Sequence, residues 1–151
     1  MAHNPVNHPA RPVYRAIGGL TGLYLAGFGV LGVIENSGAE FFAQNDTLVL
    51  GQGANLGYSI ISAVVGILVL VGTAIGRNID TVINKLLGYG FMVLGLASLA
   101  VMRTDANFLD FSMSTAIVSM VIGMVLLMAG MYGKIGTEEE VRAWQEARLL
   151  L

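Results

Sequence analysis

Four long uncharged stretches dominate the chain: Ala16 to Ile34, Leu56 to Gly76, Leu86 to Met102 behind an amphipathic lead-in from Ile79, and Phe111 to Gly133. None shows the period-two alternation of barrel strands. A helix of about 20 residues rises about 30 Å, enough to cross a hydrocarbon core. A bilayer offers the backbone no hydrogen-bond partner, so only helices and closed barrels cross it. The pattern therefore predicts an all-α membrane protein, a single-domain four-helix transmembrane bundle with spans at about 14–34, 54–76, 79–102 and 111–133. The first stretch is long for a signal-peptide core and is expected to remain as a span.

The two ends differ. Pro5, Pro9 and Pro12 argue against helix in the first 13 residues. After the breaks at Gly133 and Gly136, Thr137 and Glu140 have the spacing of a capping box. They predict a short helix over about 138–150, with Glu138 and Arg142 placed to pair at i, i+4. Val141, Trp144 and Leu151 fall roughly along one side of it, a candidate surface for docking a partner or lying at the membrane interface.

Composition agrees with the pattern. Hydrophobic residues make up 55% and charged residues 12%, against about 25% charged in soluble domains. There is no cysteine, which excludes disulfides and thiolate chemistry. No basic tract is present, so nucleic acid is not an expected partner. Of the eight Lys and Arg residues, only Arg103 falls in the segments joining the first span to the second or the third to the fourth. That asymmetry predicts a cell (inner) membrane protein with both termini cytoplasmic. The first loop, with Glu35, Glu40, Asp46, Phe41 and Phe42, is then the larger external feature.

Twenty glycines are many for a helical protein. In lipid, helices pair through close approach at small residues rather than through the hydrophobic effect. At 100° per residue, Gly18, Gly22, Ala26, Gly29 and Gly32 share one face of the first span, with Gly18 and Gly22 forming a GxxxG step. Ser59, Ser62, Ala63 and Gly66 cluster in the second span, and Gly88 and Gly95 lie one heptad apart in the third. Ala116, Ser119, Gly123 and Gly130 align in the fourth. These stripes are the expected helix-packing seams. Met113, Met120, Met124, Met128 and Met131 form a second face of the fourth span, suited to a partner helix or lipid chains.

Chemistry-bearing residues avoid the uncharged cores. Proton relays and ion pathways generally need intramembrane ionisable groups, and haem needs histidines within the spans. The only histidines are His3 and His8 in the tail. Glu35, Asp105 and Asp110 sit at the membrane edge, where the aspartates are expected to cap the third and fourth helices. Gly51-Gln52-Gly53 follows no predicted strand and reads as a loop break. The chain is expected to be non-catalytic, without cofactor or metal.

The tail Arg11-Pro12-Val13-Tyr14-Arg15, the segment Asn107 to Ser112 and the run Gly123-Met124-Val125-Leu126-Leu127-Met128-Ala129-Gly130-Met131-Tyr132-Gly133-Lys134 resemble an actinobacterial, mycobacterial family of uncharacterised four-span membrane proteins. The resemblance covers most of the chain. It implies an accessory subunit of a larger complex, with a transporter permease or a respiratory complex and membrane lipids as partners. The first expectation is an Mce-type lipid importer, the second a respiratory supercomplex. A small transporter or channel is the reading outside that class.

Overall fold

The computed structural model describes residues 5–149, with side chains to Ala147; His3 and Leu151 lie outside the described residues. The chain is all-α, with helices α1 (Arg11–Glu35), α2 (Leu56–Ile75), α3 (Ile79–Val101), α4 (Met113–Met131) and α5 (Glu138–Leu149). The first four are long and apolar enough to cross a membrane. They make this a multi-pass membrane protein with both described chain ends on one side, called here the terminal side, and the α1–α2 and α3–α4 connections on the other, the loop side.

The first helix starts earlier than the prolines imply. Pro12 lies in its first turn, where the missing N–H would have no intrahelical partner in any case. Residues 51–53 also differ from expectation. They belong to a hairpin in which β1 (Leu48–Val49) pairs antiparallel with β2 (Gln52–Gly53). Leu50 and Gly51 both have positive φ, 50° and 78°, as the two-residue turn that matches strand twist requires. Asp110 does not cap α4. Ser112 does, in a reciprocal capping box with Thr115, and Asp105 is exposed beyond the C-cap of α3 at Met102. At the C-terminus, Thr137 and Glu140 exchange the two capping hydrogen bonds, at 3.0 and 3.3 Å, and Glu138 pairs with Arg142 at 3.7 Å.

Helix α1 packs mainly on α2, and α3 mainly on α4. The bundle is thus two helical hairpins set side by side, closed more loosely along α1–α4 and α2–α3. Leu25, Val69, Phe91, Ile122 and Leu126, drawn from all four helices, fill the centre. A second cluster, with Phe28, Val49, Tyr58 and Phe111, closes the loop side.

The two hairpins repeat one plan. A methyl group added at Gly66 would meet the backbone of Ala26 and the carbonyl of Gly22; at Gly123 it would meet the amide of Met92 and the carbonyl of Gly88. Added at Gly29 it would meet Ala63 and the Ser59 carbonyl; at Gly95, Met120 and the Ala116 carbonyl. One sequence offset carries Ser59, Ala63 and Gly66 onto Ala116, Met120 and Gly123, and also carries Asn55 onto Ser112, the N-caps of α2 and α4. Another carries Gly22, Ala26 and Gly29 onto Gly88, Met92 and Gly95.

Candidate functional site

The polar chemistry is split between the two ends of the bundle. On the terminal side Asp80, in the first turn of α3, is buried at 3% exposure. Its Oδ1 accepts the amide of Thr81 at 2.9 Å. Its Oδ2 stands 3.6 Å from an Arg11 guanidinium nitrogen and 3.8 Å from Arg15 Nε. Both arginines belong to α1 and also reach other helices. Arg11 Nε donates to the Gly133 carbonyl at the end of α4, and Arg15 donates to the Thr73 and Ala74 carbonyls at the end of α2. Those carbonyls have no partner within their own helix, so a cation there is favoured twice, by hydrogen bonding and by the helix dipole. Asn84, one turn deeper, is buried against the face of Gly18. Asn84 Oδ1, Thr81 Oγ1 and Thr73 Oγ1 are buried without a hydrogen-bond partner.

The buried charge of the third span lies in its amphipathic lead-in, before the uncharged stretch from Leu86 to Met102. Within Ile79 to Lys85, Asp80, Thr81 and Asn84 point into the bundle. A period-3.6 reading of polar rather than apolar positions would have found Asp80, Thr81 and Asn84 on one face.

Around this cluster the tail and linkers are laced together. The Asn7 amide donates to the Lys134 carbonyl, and its side chain exchanges bonds with Gly136. Asn78, in the α2–α3 turn, does the same with Ile135. His8 accepts the Ala10 amide through Nδ1 and lies edge-on to Tyr14 and Tyr132, which stack at 4.8 Å. Helix α5 leaves this platform with Val141 and Trp144 half-buried. Lys134 pairs with Glu140 at 3.0 Å and, with the Thr137 amide, holds that carboxyl below the usual range.

On the loop side, asparagines do most of the positioning. Asn36 ends α1 by donating to the Gly32 and Ala54 carbonyls at 2.9 and 3.1 Å. Asn55 caps α2 and reaches the Phe108 carbonyl at 2.8 Å. The β hairpin lies against α1 and α4. Gln52 donates to the Tyr24 hydroxyl at 2.6 Å, Ser114 donates to the Gly51 carbonyl, and Thr115 donates to the Gly53 carbonyl. Asp46 and Asp110 line a cavity of about 200 Å³ with Gly53, Phe111 and Ser112. Burial, then the nearby charge of Asp46, raises the Asp110 carboxyl above its ordinary range, with partial relief from the amides of Asn45 and Asp46. That group holds its proton more tightly than a solvated carboxylate. Glu35 is exposed at the end of α1. Phe41, Phe42 and Phe108 form an exposed aromatic edge-to-face chain.

The small residues have distinct neighbours. Gly22, Ala26 and Gly29 meet Ser59, Ala63 and Gly66 across the α1–α2 contact. Gly18, one turn before Gly22, faces Asn84 and Ala129 instead, so the GxxxG step is divided between two interfaces. Ala116, Gly123 and Gly130 face α3, the last against Lys85 and Thr81. Ser119 hydroxyl lies 3.3 Å from that of Tyr58 and ties α4 to α2. The methionine face is also divided. Met113, Met124 and Met128 are exposed, whereas Met120 lies against Gly95.

Comparison with protein-family models, curated proteins and solved structures gives no match.

Proposed function

We propose that this chain is a non-catalytic accessory subunit that packs beside larger integral membrane proteins, its termini cytoplasmic in the inner membrane. The observation that carries the reading is the terminal-side platform. Three separate segments are laced together by Asn7, Asn78 and Arg11, and the platform projects a capped amphipathic helix carrying Val141 and Trp144. A short capped amphipathic helix is suited to docking on another subunit. The resemblance noted above makes an Mce-type lipid importer the first host to test, with its permease as neighbour, and a respiratory supercomplex the second.

The test is gentle extraction through a terminal tag, with mass spectrometry of co-purifying proteins. Larger membrane subunits should co-purify, and Trp144→Ala or loss of residues 137–151 should lower their yield. Recovery of the chain alone under conditions that keep other complexes intact would end this reading. A small transporter is the second reading, favoured by one observation: buried Asp80 sits beside the unpartnered oxygens of Thr81 and Asn84, and intramembrane charge commonly marks a transport path. Asp80→Asn separates the two. A transporter loses flux with the fold intact, whereas an accessory subunit changes only in stability or assembly.

A further inference from the structure

Three phenylalanines on the loop side stay about half-exposed although the chain fixes them in place. Phe41, Phe42 and Phe108 are 46%, 54% and 56% exposed, and their rings run edge-to-face at 4.7 and 5.6 Å. Their backbone is held at three points. The Phe41 carbonyl accepts the Gly57 amide at 2.9 Å. The Phe108 carbonyl accepts from the Asn55 side chain at 2.8 Å. Gln44 donates across to the Asn107 carbonyl at 2.9 Å and so ties the two connections together. A ridge ordered before anything meets it loses little conformational freedom on binding. Exposed aromatic side chains held this way are suited to anchoring a protein interface.

Charge decides what the ridge fits. Glu40 precedes Phe41, and Asp105 shares the α3–α4 connection with Phe108. Both carboxylates are exposed, and no cation among the described residues pairs with either. Glu35, Glu40, Asp46, Asp105 and Asp110 lie on the loop side with Arg103 as their one counter-charge, whereas the five carboxylates of the terminal side face seven cations. Lipid is the poorer cover. Aromatic belts at a membrane interface use Trp and Tyr, whose polar tips reach the headgroups, and this ridge is all Phe. Sinking the rings into the bilayer would also draw Glu40 toward hydrocarbon, where a carboxylate loses its hydration. We propose that the Phe41–Phe42–Phe108 ridge docks a basic segment of a neighbouring protein, whose apolar side chains cover the rings while its Lys or Arg side chains meet Glu40 and Asp105. An arginine over a ring face adds a cation–π contact, and the acidic flanks turn acidic segments away. Docking here rests on the accessory-subunit reading and adds a loop-side contact to the terminal-side one.

The probe is a short fluorescent peptide alternating Arg and Leu, with a counterpart carrying Glu in place of Arg. Each is titrated by anisotropy against the full chain in phosphatidylcholine nanodiscs, with empty nanodiscs as background. The wild type should bind the Arg peptide about tenfold more tightly than the Glu peptide, and Phe42→Ser or Phe108→Ser should each weaken that binding about tenfold. Glu40→Lys with Asp105→Lys should abolish it. Glu139→Lys, at an exposed acid on the terminal side, should leave it unchanged. Glu40 and Asp105 are exposed, so the reversal tests the ridge even if a ring variant fails to fold. Absence of binding overturns the proposal. So does binding that survives loss of the rings or falls equally with Glu139→Lys, since that is attraction by net charge alone. Quenching of Phe42→Trp by brominated lipid, in a Trp144→Phe chain, overturns it in favour of the membrane. The two readings fail separately. Subunits that co-purify through the terminal tag while the Arg peptide does not bind leave only the ridge wrong, and the reverse result leaves only the accessory reading wrong.

Discussion

The α1–α2 hairpin and the α3–α4 hairpin are built on one seam and finished differently. In both, glycines let backbone meet backbone at matched heights, with Gly66 on Ala26 and Gly123 on Met92. The first hairpin spends its long connection on a β hairpin and the Asn36 cap, and its interface is lined by Ala and Ser. The second has a short connection gathered by Asn107, whose side chain bonds the Met102 and Phe111 carbonyls and the Phe111 amide. Its interface admits the larger Met92, Met120 and Leu127, and its first turn carries the buried charge. The shared part is what lipid demands of any close helix pair, namely small residues where backbones touch. The parts that differ lie where the chain leaves the hydrocarbon and polar groups can be hydrated or paired.

The largest effects should come from breaking the seam in either hairpin. Leu at Gly66 would drive a side chain into the Ala26 backbone, and Leu at Gly123 would drive one into Met92. A backbone neighbour cannot rotate away. Overpacking of this kind costs about 1–3 kcal/mol and sometimes more. Both variants should melt well below wild type in detergent, or fail to accumulate. The repeat adds a sharper expectation, that Gly123→Leu is the milder of the two. Its nearest contacts include the flexible Met92 side chain at 2.9 Å, which Met→Ala at that position would clear. If Met92→Ala fails to rescue Gly123→Leu even in part, the second hairpin is as rigid as the first.

Asp80 comes next, because the first hairpin has Tyr14 at the corresponding place and no buried charge. Removing one partner of a fully buried ion pair costs about 3–5 kcal/mol. Arg15 is about one-third exposed and keeps its bonds to α2, so Asp80→Asn should cost less, about 1–3 kcal/mol. The loss should be concentrated at the start of α1. Trypsin should cut after Arg15 faster in the variant than in wild type, while cleavage after Arg103 stays the same. Equal acceleration at both sites would place the effect on the whole bundle rather than on the terminal-side clamp.

The spans were legible because apolar length is a direct consequence of bilayer thickness, and the C-terminal helix because its cap is local. The Gly22–Ala26–Gly29 stripe followed from helical spacing alone, but the partner of each glycine did not. Gly18 shares that stripe and yet faces Asn84, because the stripe is wide enough to touch two helices. Two kinds of signal were missed. Asp80 was hidden by a reading that looked for charge only inside uncharged runs, whereas a carboxylate at a helix start can be buried by arginines arriving from a distant segment. The β hairpin was missed because Leu48-Val49 is too short for an alternating pattern, and its stability comes from α1 and α4 rather than from itself.

That dependence makes the hairpin a third point of contrast, of smaller size. Gln52→Ala removes the donor to Tyr24 and leaves a buried void at a position 4% exposed. A net loss of about 1 kcal/mol is expected, with faster amide exchange at Val49 and Ala54. Tyr24→Phe should reproduce most of it. The double variant should cost little more than either single change, since both remove one bond. Full additivity would mean that Gln52 and Tyr24 act separately and that the hairpin is held elsewhere.

The smallest effect concerns Asp110, which corresponds to Gly53 in the first hairpin and has positive φ, 59°. Burial and the charge of Asp46 raise its folded-state pKa above the ordinary carboxylate value. Between the unfolded and the folded pKa the native state therefore binds more protons than the unfolded chain. Stability must then fall as pH rises through that window and recover as pH is lowered. This is opposite in sign to Glu140, whose depressed pKa makes its contribution one that is lost on acidification. Above the window the cost of the charged Asp110 is fully present, so Asp110→Asn should raise the melting temperature slightly at neutral pH and flatten its dependence just above the ordinary carboxylate range. Asp46→Asn should act in the same direction more weakly, because Asp46 is the second cause of the shift and burial the first. Melting curves of the three proteins across that range decide it. A wild-type curve that already rises steadily with pH through the window, unchanged in Asp110→Asn, would mean that this carboxyl is solvated and that the acidic cavity beside Ser112 carries no electrostatic strain.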